Sequence, residues 1–198
     1  MTENEQDAKK QQFNEFFNIE HDINVNIVPL APEFELPEIE DIEQHMPYAF
    51  RMASEISTIE SKAIRPLRNI SDHASELAAY LTQLSKKIDL MMSYVLHQQD
   101  DHDKRFIARR FGGGGIIVRS TEAFELGKHF QLKLFLEEEA TAVFCYGEVI
   151  ACDPSEDGFD ITLIFSRIRE QDQELLVKAS LHLQTKQLKK RSQSRSSQ

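Results

Sequence analysis

From Pro66 to Gln99, apolar residues fall alternately four and three apart: Ile70, Ala74, Leu77, Leu81, Leu84, Ile88, Met91 and Val95. This is a heptad seam, with Ala74, Leu81, Ile88 and Val95 at a and Ile70, Leu77, Leu84 and Met91 at d. Neither Gly nor Pro interrupts it after Pro66. A helix of this length runs roughly 50 Å and cannot bury its seam against itself. The e positions read Ser71, Ala78, Ser85 and Met92, and the g positions His73, Tyr80, Lys87 and Tyr94. A two-stranded zipper carries charged pairs there. Small, apolar and aromatic residues instead widen the buried stripe and favour a bundle of more than two helices. The competing arrangement is one amphipathic helix packed on its own domain.

The rest of the pattern is β-rich. Ile23-Asn24-Val25-Asn26-Ile27 alternates apolar and polar residues, as a half-buried strand does, and Pro29 and Pro32 end it. Phe130, Leu132, Leu134 and Leu136 alternate in the same way, as do Phe159, Ile161, Leu163 and Phe165. Between them Val143–Tyr146 runs through Gly147 to Val149-Ile150, and Asp153–Gly158 reads as a hairpin turn. Strands at this spacing predict a small antiparallel barrel or sandwich. A closing helix from about Glu170 carries Leu175, Leu176, Ala179 and Leu183 on one side. A second helical pattern, Met52, Ile56, Ile59 and Ala63, ends or kinks at Pro66.

The sequence thus divides into a polar, disordered 1–12; a strand region at 13–30; an acidic connector at 31–47; a helical segment at 48–104; a β-rich part closed by a helix at 111–190; and a basic, Ser-rich tail at 191–198. The connector holds Glu33, Glu35, Glu38, Glu40, Asp41 and Glu43 with no Lys or Arg, and reads as a solvated face.

Charge removes several classes of function. The chain has 198 residues and a net charge of −10, so nucleic acid and anionic membrane surfaces are not its expected partners. No apolar run approaches the roughly 20 residues of a membrane helix. The start, MTENEQDAKKQQ, lacks the apolar core of a signal peptide, and a cytoplasmic location is expected. Cys145 and Cys152 fit no zinc spacing and read as small buried hydrophobes. The acid/His cluster Asp100-Asp101-His102-Asp103 reads as a solvated helix end rather than a metal site. The run Gly112–Gly115 lacks the Gly-Lys-Ser/Thr ending of a nucleotide loop and opens a strand. With no nucleophile–base pair, metal pattern or cofactor fingerprint, neither an enzyme nor a cofactor is expected.

Three stretches resemble the PilZ domain, the small β-barrel of bacterial cyclic di-GMP signalling. Glu15-Phe16-Phe17-Asn18-Ile19 before the first strand resembles the family's opening RxxxR segment. Phe111–Ile116 resembles its (D/N)xSxxG turn. Tyr146–Ile150, Gly158–Ile161 and the helix start at 170–174 resemble its closing hairpin and helix. The likeness covers about 13–30 and 111–190, with the heptad region inserted between. The implied fold is α+β: a small antiparallel barrel with a C-terminal helix, interrupted by a long helical insertion forming an oligomeric coiled coil. It is similar to an atypical, tetrameric type of the family.

The resemblance also implies a degenerate ligand site. The arginine positions of RxxxR fall on Asn14 and Asn18, the Asp/Asn position on Arg110 and the Ser position on Gly112; only Gly115 is kept. Asn supplies neither the charge nor the fork of Arg. Losing two charged hydrogen bonds of about 1.5–3 kcal/mol each weakens binding by roughly a hundredfold to over ten-thousandfold. The expectation is a non-catalytic module that self-assembles, tetramer over dimer, serves an unidentified protein partner, and does not take cyclic di-GMP in the usual mode. By family analogy its process is motility, pili or virulence control. The alternative is a cyclic dinucleotide sensor using Arg105, Arg109 and Arg110, of which Arg105 and Arg109 spell a second RxxxR.

Overall fold

The computed structural model describes residues 3–16, 18–31, 33–67 and 75–196. The elements are α1 (Glu3–Glu15), β1 (Asn18–Pro29), a short α2 (Ile42–His45), α3 (Tyr48–Leu67), α4 (Ser75–His97), β2 (Arg105–Gly112), β3 (Gly115–Ser120), β4 (His129–Leu136), β5 (Thr141–Ser155), β6 (Gly158–Arg167) and α5 (Glu170–Ser196). The six strands close into an antiparallel barrel in the order β1-β2-β3-β6-β5-β4. β1 pairs with both β2 and β4, so the strand before the helical segment completes a barrel whose other five strands follow that segment.

Strand alternation fills the interior. Val25, Ile27, Ala108, Ile116, Val118, Leu132, Leu134, Val143, Val149, Ile161 and Leu163 form one cluster, and Leu176, Ala179 and Leu183 of α5 join it. The alternating residues of β4 and β6 singled out in the sequence therefore face inward. Gly147 lies among them because a methyl group there would stand 2.6 Å from Leu132 Cδ1. Cys145 is in the same interior, where burial pushes its thiol well above the ordinary range; Cys152 is half-buried, and both are unpaired thiols.

Two further clusters cover the outside of β5. Ala142, Phe144 and Tyr146 point outward with Phe135 of β4, and pack against Ile42, Met46, Ala49, Phe50, Ala53, Met92 and Leu96. The first half of α3 and the last turns of α4 share this cluster, so the chain leaves the barrel on one helix and returns on the other. Farther along β5, Ile150 packs with Phe13, Ile164 and Ile117. β5 is buried without a break from Thr141 to Ala151.

Four sequence expectations meet a different structure. Residues 1–12 read as disordered, but α1 begins at Glu3, held by the burial of Phe13. The connector at 31–47 reads as solvated, but α2 lies within it and Ile42 and Met46 are buried, anchoring it to the outer face of β5. The tail at 191–198 reads as disordered, but α5 continues to Ser196. The predicted face of α3 is also rotated: from Tyr48 to Ile59, Ala49, Phe50 and Ala53 are buried, Met52 and Ile56 are half-buried, and Ile59 is exposed; the side chain of Ala63 lies outside the described residues. α3 ends one residue past Pro66. Of the heptad positions, Ile70 and Ala74 lie outside the described residues.

Phe50 is fully buried and meets the Phe135 ring edge-on at 5.7 Å. Phe50→Ala is expected to destabilise the chain by about 3–5 kcal/mol in urea unfolding, because the cavity opens between two elements that cannot collapse together.

Candidate functional site

The site to which the sequence points is the hairpin between β2 and β3. All four residues of Gly112–Gly115 are buried. Gly112 lies opposite Asn18 in the β1–β2 ladder. The carbonyl of Gly114 accepts from the Phe165 amide at 3.0 Å, and that of Gly113 accepts from Gln173 Nε2 at 2.9 Å. The hairpin is thereby tied to β6 and to the first turn of α5.

What approaches these glycines is the chain's own N-terminus. A methyl group at Gly114 would stand 2.8 Å from Cδ2 of Phe16, and one at Gly113 would stand 2.9 Å from Cδ1 of Phe16 and 2.7 Å from Cγ2 of Val177. At Gly115 it would meet the Leu163 carbonyl oxygen at 2.1 Å and the Phe13 ring at 3.0 Å. The missing side chains are the seat of two phenylalanines, which is the close approach that glycine permits.

Asn18 closes this arrangement. Its Nδ2 donates to the carbonyl of Phe16 at 3.0 Å and to that of Phe13 at 3.4 Å. Two carbonyls at the end of α1, which the helix itself leaves unsatisfied, are thus answered by the Asn18 amide. Asn14 is exposed. Lys9 anchors the other end of the contact: its Nζ lies 2.5 Å from Glu148 Oε1, and His129 Nε2 lies 3.6 Å from Glu148 Oε2. Glu148 is buried and sits on the outer face of β5.

The three arginines of the alternative ligand set do not converge. Arg105 Nη2 is 2.7 Å from Asp100 Oδ2 at the far end of β2 from the glycines. Arg109 lies four positions along the strand from Arg105, about 13 Å of chain. Arg109 and Arg110 are exposed beside an irregularity in the β2–β3 register. Asp100, which the sequence places at a solvated helix end, is buried. It also accepts from Asn26 Nδ2 at 2.8 Å, while Asn26 Oδ1 accepts from the Asp101 amide at 2.8 Å.

On the other side of the hairpin, Arg169 grips Asp172 with two bonds, at 2.8 and 3.0 Å, and reaches Ser54 of α3 at 3.3 Å. Burial raises the Asp172 carboxyl above its ordinary value, and the Arg169 contacts pull in the opposite direction.

The closed barrel, the helix α5 against it and the glycine hairpin together make up a small β-barrel domain. Residues 83–181, half of the chain, match the PilZ domain family, and the chain belongs to it. PilZ domains are generally non-catalytic binding modules. The match takes in most of α4 and β2–β6, but not β1, which nonetheless completes the barrel. Among solved structures, a pathogenic protein of Xanthomonas campestris superposes with a TM-score of 0.56 at 14% identity, covering 90% of this chain and 96% of that one. That protein has a tetrameric PilZ domain self-assembled via an unusual helical bundle. The Bacillus subtilis inhibitor of motility, MotI/DgrA, aligns at 15% identity and a TM-score of 0.45, covering 87% of this chain; the chain spans about half (51%) of the Bacillus protein. At these identities the likeness is one of fold. No curated protein sequence matches.

The contacts of α1 were not legible in the sequence, although Lys9, Phe13 and Phe16 carry the spacing of one helical face. The raised Asp172 carboxyl gives a pH test. A folded state that holds the proton more tightly than the unfolded chain gains stability that is full below about pH 4 and fades as pH rises through the Asp172 titration. Asp172→Asn removes that slope, so the variant's urea midpoint is expected to improve relative to the parent's between about pH 4 and pH 7.

Proposed function

We propose that this chain is a non-catalytic PilZ interaction module that assembles as a homo-tetramer through its helical segment and does not take cyclic di-GMP in the family's usual mode. The carrying observation is the surface of α4. Met92 and Leu96 pack against the barrel, yet Leu77, Leu84 and Met91, seven residues apart, are 56%, 42% and 69% exposed. Tyr80 and Tyr94 flank them at 63% and 68%. Val95 is also exposed, and Leu81 and Ile88 are half-buried, Ile88 against the chain's own outer cluster. A helix thus uses one face at home and offers another at heptad spacing. A contiguous apolar stripe of this kind marks a protein interface. Burying each large side chain contributes about 1.5–3 kcal/mol per chain. The tetrameric helical bundle of the Xanthomonas relative supports the choice of a second copy as partner and four as the number.

In this reading the barrels are displayed together and engage a partner with several sites by raised effective concentration. A cytoplasmic place, and a role in motility, pili or virulence control, follow by family analogy only. Among the described residues no helix is long and apolar enough to cross a membrane.

Light scattering on the parent is expected to give about four times the chain mass of 22.9 kDa. Leu84→Asp with Met91→Asp is expected to yield monomers with an unchanged far-ultraviolet circular dichroism spectrum, since neither side chain supports the barrel. A parent that is monomeric at 0.1 mM order concentrations, roughly where weak oligomers still form, overturns the assembly. Calorimetry with cyclic di-GMP is expected to show no saturation up to about 100 µM.

A further inference from the structure

The N-terminal helix has the anatomy of a bound ligand rather than of a core element. From Ala8 to Glu15 its side chains are exposed, except Lys9, half-buried, and Phe13, buried; Phe16 follows half-buried. Lys9 and Phe13 lie at i and i+4 on one edge of α1, and Phe16 stands one residue past its end. Each has its own receptor feature. Lys9 reaches the buried carboxylate of Glu148, Phe13 enters the apolar site formed by Ile117, Ile150 and Ile164, and Phe16 lies over Gly113 and Gly114. A helix of 13 residues is marginal in water by itself, so α1 depends on these anchors for its structure.

We infer that this groove is a docking site for a short helix carrying a basic residue, then Phe four residues later and Phe again after three more, and that α1 is its tethered occupant. Charge selects this partner. Glu148 is buried on the outer face of β5, where an unpaired carboxylate is costly, so a docking helix must bring a cation at that point. His129, at 3.6 Å, stands on the other side of the same carboxylate. The glycine floor adds shape selection, because only a seat without side chains accommodates the second ring. A partner helix with the same three features competes with α1, and the tether sets the threshold: an attached segment acts at an effective concentration of the order of millimolar. The groove is thus closed to dilute peptides and open to a partner that is locally concentrated. This inference does not depend on the assembly proposed above.

The test uses the full chain and a fluorescein-labelled peptide of residues 1–17 as the probe, read by fluorescence anisotropy. Phe13→Ser with Phe16→Ser empties the groove, and the variant is expected to bind the peptide saturably, at least tenfold more tightly than the parent does. A peptide carrying Lys9→Glu is expected to bind at least tenfold more weakly than the unmodified one. Adding Gly114→Leu to the emptied chain fills the second ring's seat and is expected to abolish binding. A second measurement serves if the emptied chain does not fold. Gly114→Ala in the otherwise unaltered protein displaces Phe16 alone, and trypsin is expected to cut after Lys10 at least tenfold faster than in the parent. A folded emptied chain that ignores the peptide, peptide binding that survives Gly114→Leu, or Gly114→Ala that leaves cleavage unchanged would each overturn the proposal.

Discussion

From Thr141 to Ala151, β5 has no solvent face, and that single constraint organises the molecule. A strand in a closed barrel buries one side automatically, through residues such as Val143, Cys145 and Val149. Here the other side carries Ala142, Phe144, Tyr146 and Ile150, a stripe that water would meet unless something covered it. Two covers are required because the stripe is long. α2, α3 and the end of α4 take the first half, and α1 takes the second. Strands buried on both faces are usual where helices flank a parallel sheet; in this antiparallel barrel the covering must come from the N-terminal helix and the helical segment.

This explains which parts of the fold could be read in advance. Phe130, Leu132, Leu134 and Leu136, like Ile161 and Leu163, alternate cleanly because the outward residues of their strands, Phe135 and Ile164 apart, are only half-buried, and period two announces them. β5 reads as a continuous apolar run, which locates a strand but not its second face. The covers themselves announce little. α1 is polar except for a few side chains, and the acidic connector hides Ile42 and Met46 among carboxylates. In both, one or two anchors decide the structure, and a periodicity argument needs more than two points. In α4, the heptad marks the outward residues Leu77, Leu84 and Met91, while the inward pair, Met92 and Leu96, falls off the a and d positions. The d positions legible in the sequence and the face used within the chain are therefore different sides of one helix, with Ile88 at an a position packed inward.

The glycine hairpin shows how a motif can keep its shape while its content changes. Glycine permits close approach by other groups. The sequence did not disclose that the approaching groups are Phe13 and Phe16. Asn18, beside the hairpin, satisfies two carbonyls at the end of α1.

The junction between the helical segment and the barrel has a mechanical meaning. Immediately after α4, Asp100 is fixed by Asn26 of β1 and Arg105 of β2, out of water. Swinging the helices about their base would strip a carboxylate of both partners, which is far more expensive than bending an ordinary exposed loop. A pull on the helices is therefore felt first in the pairing of β1 with β2.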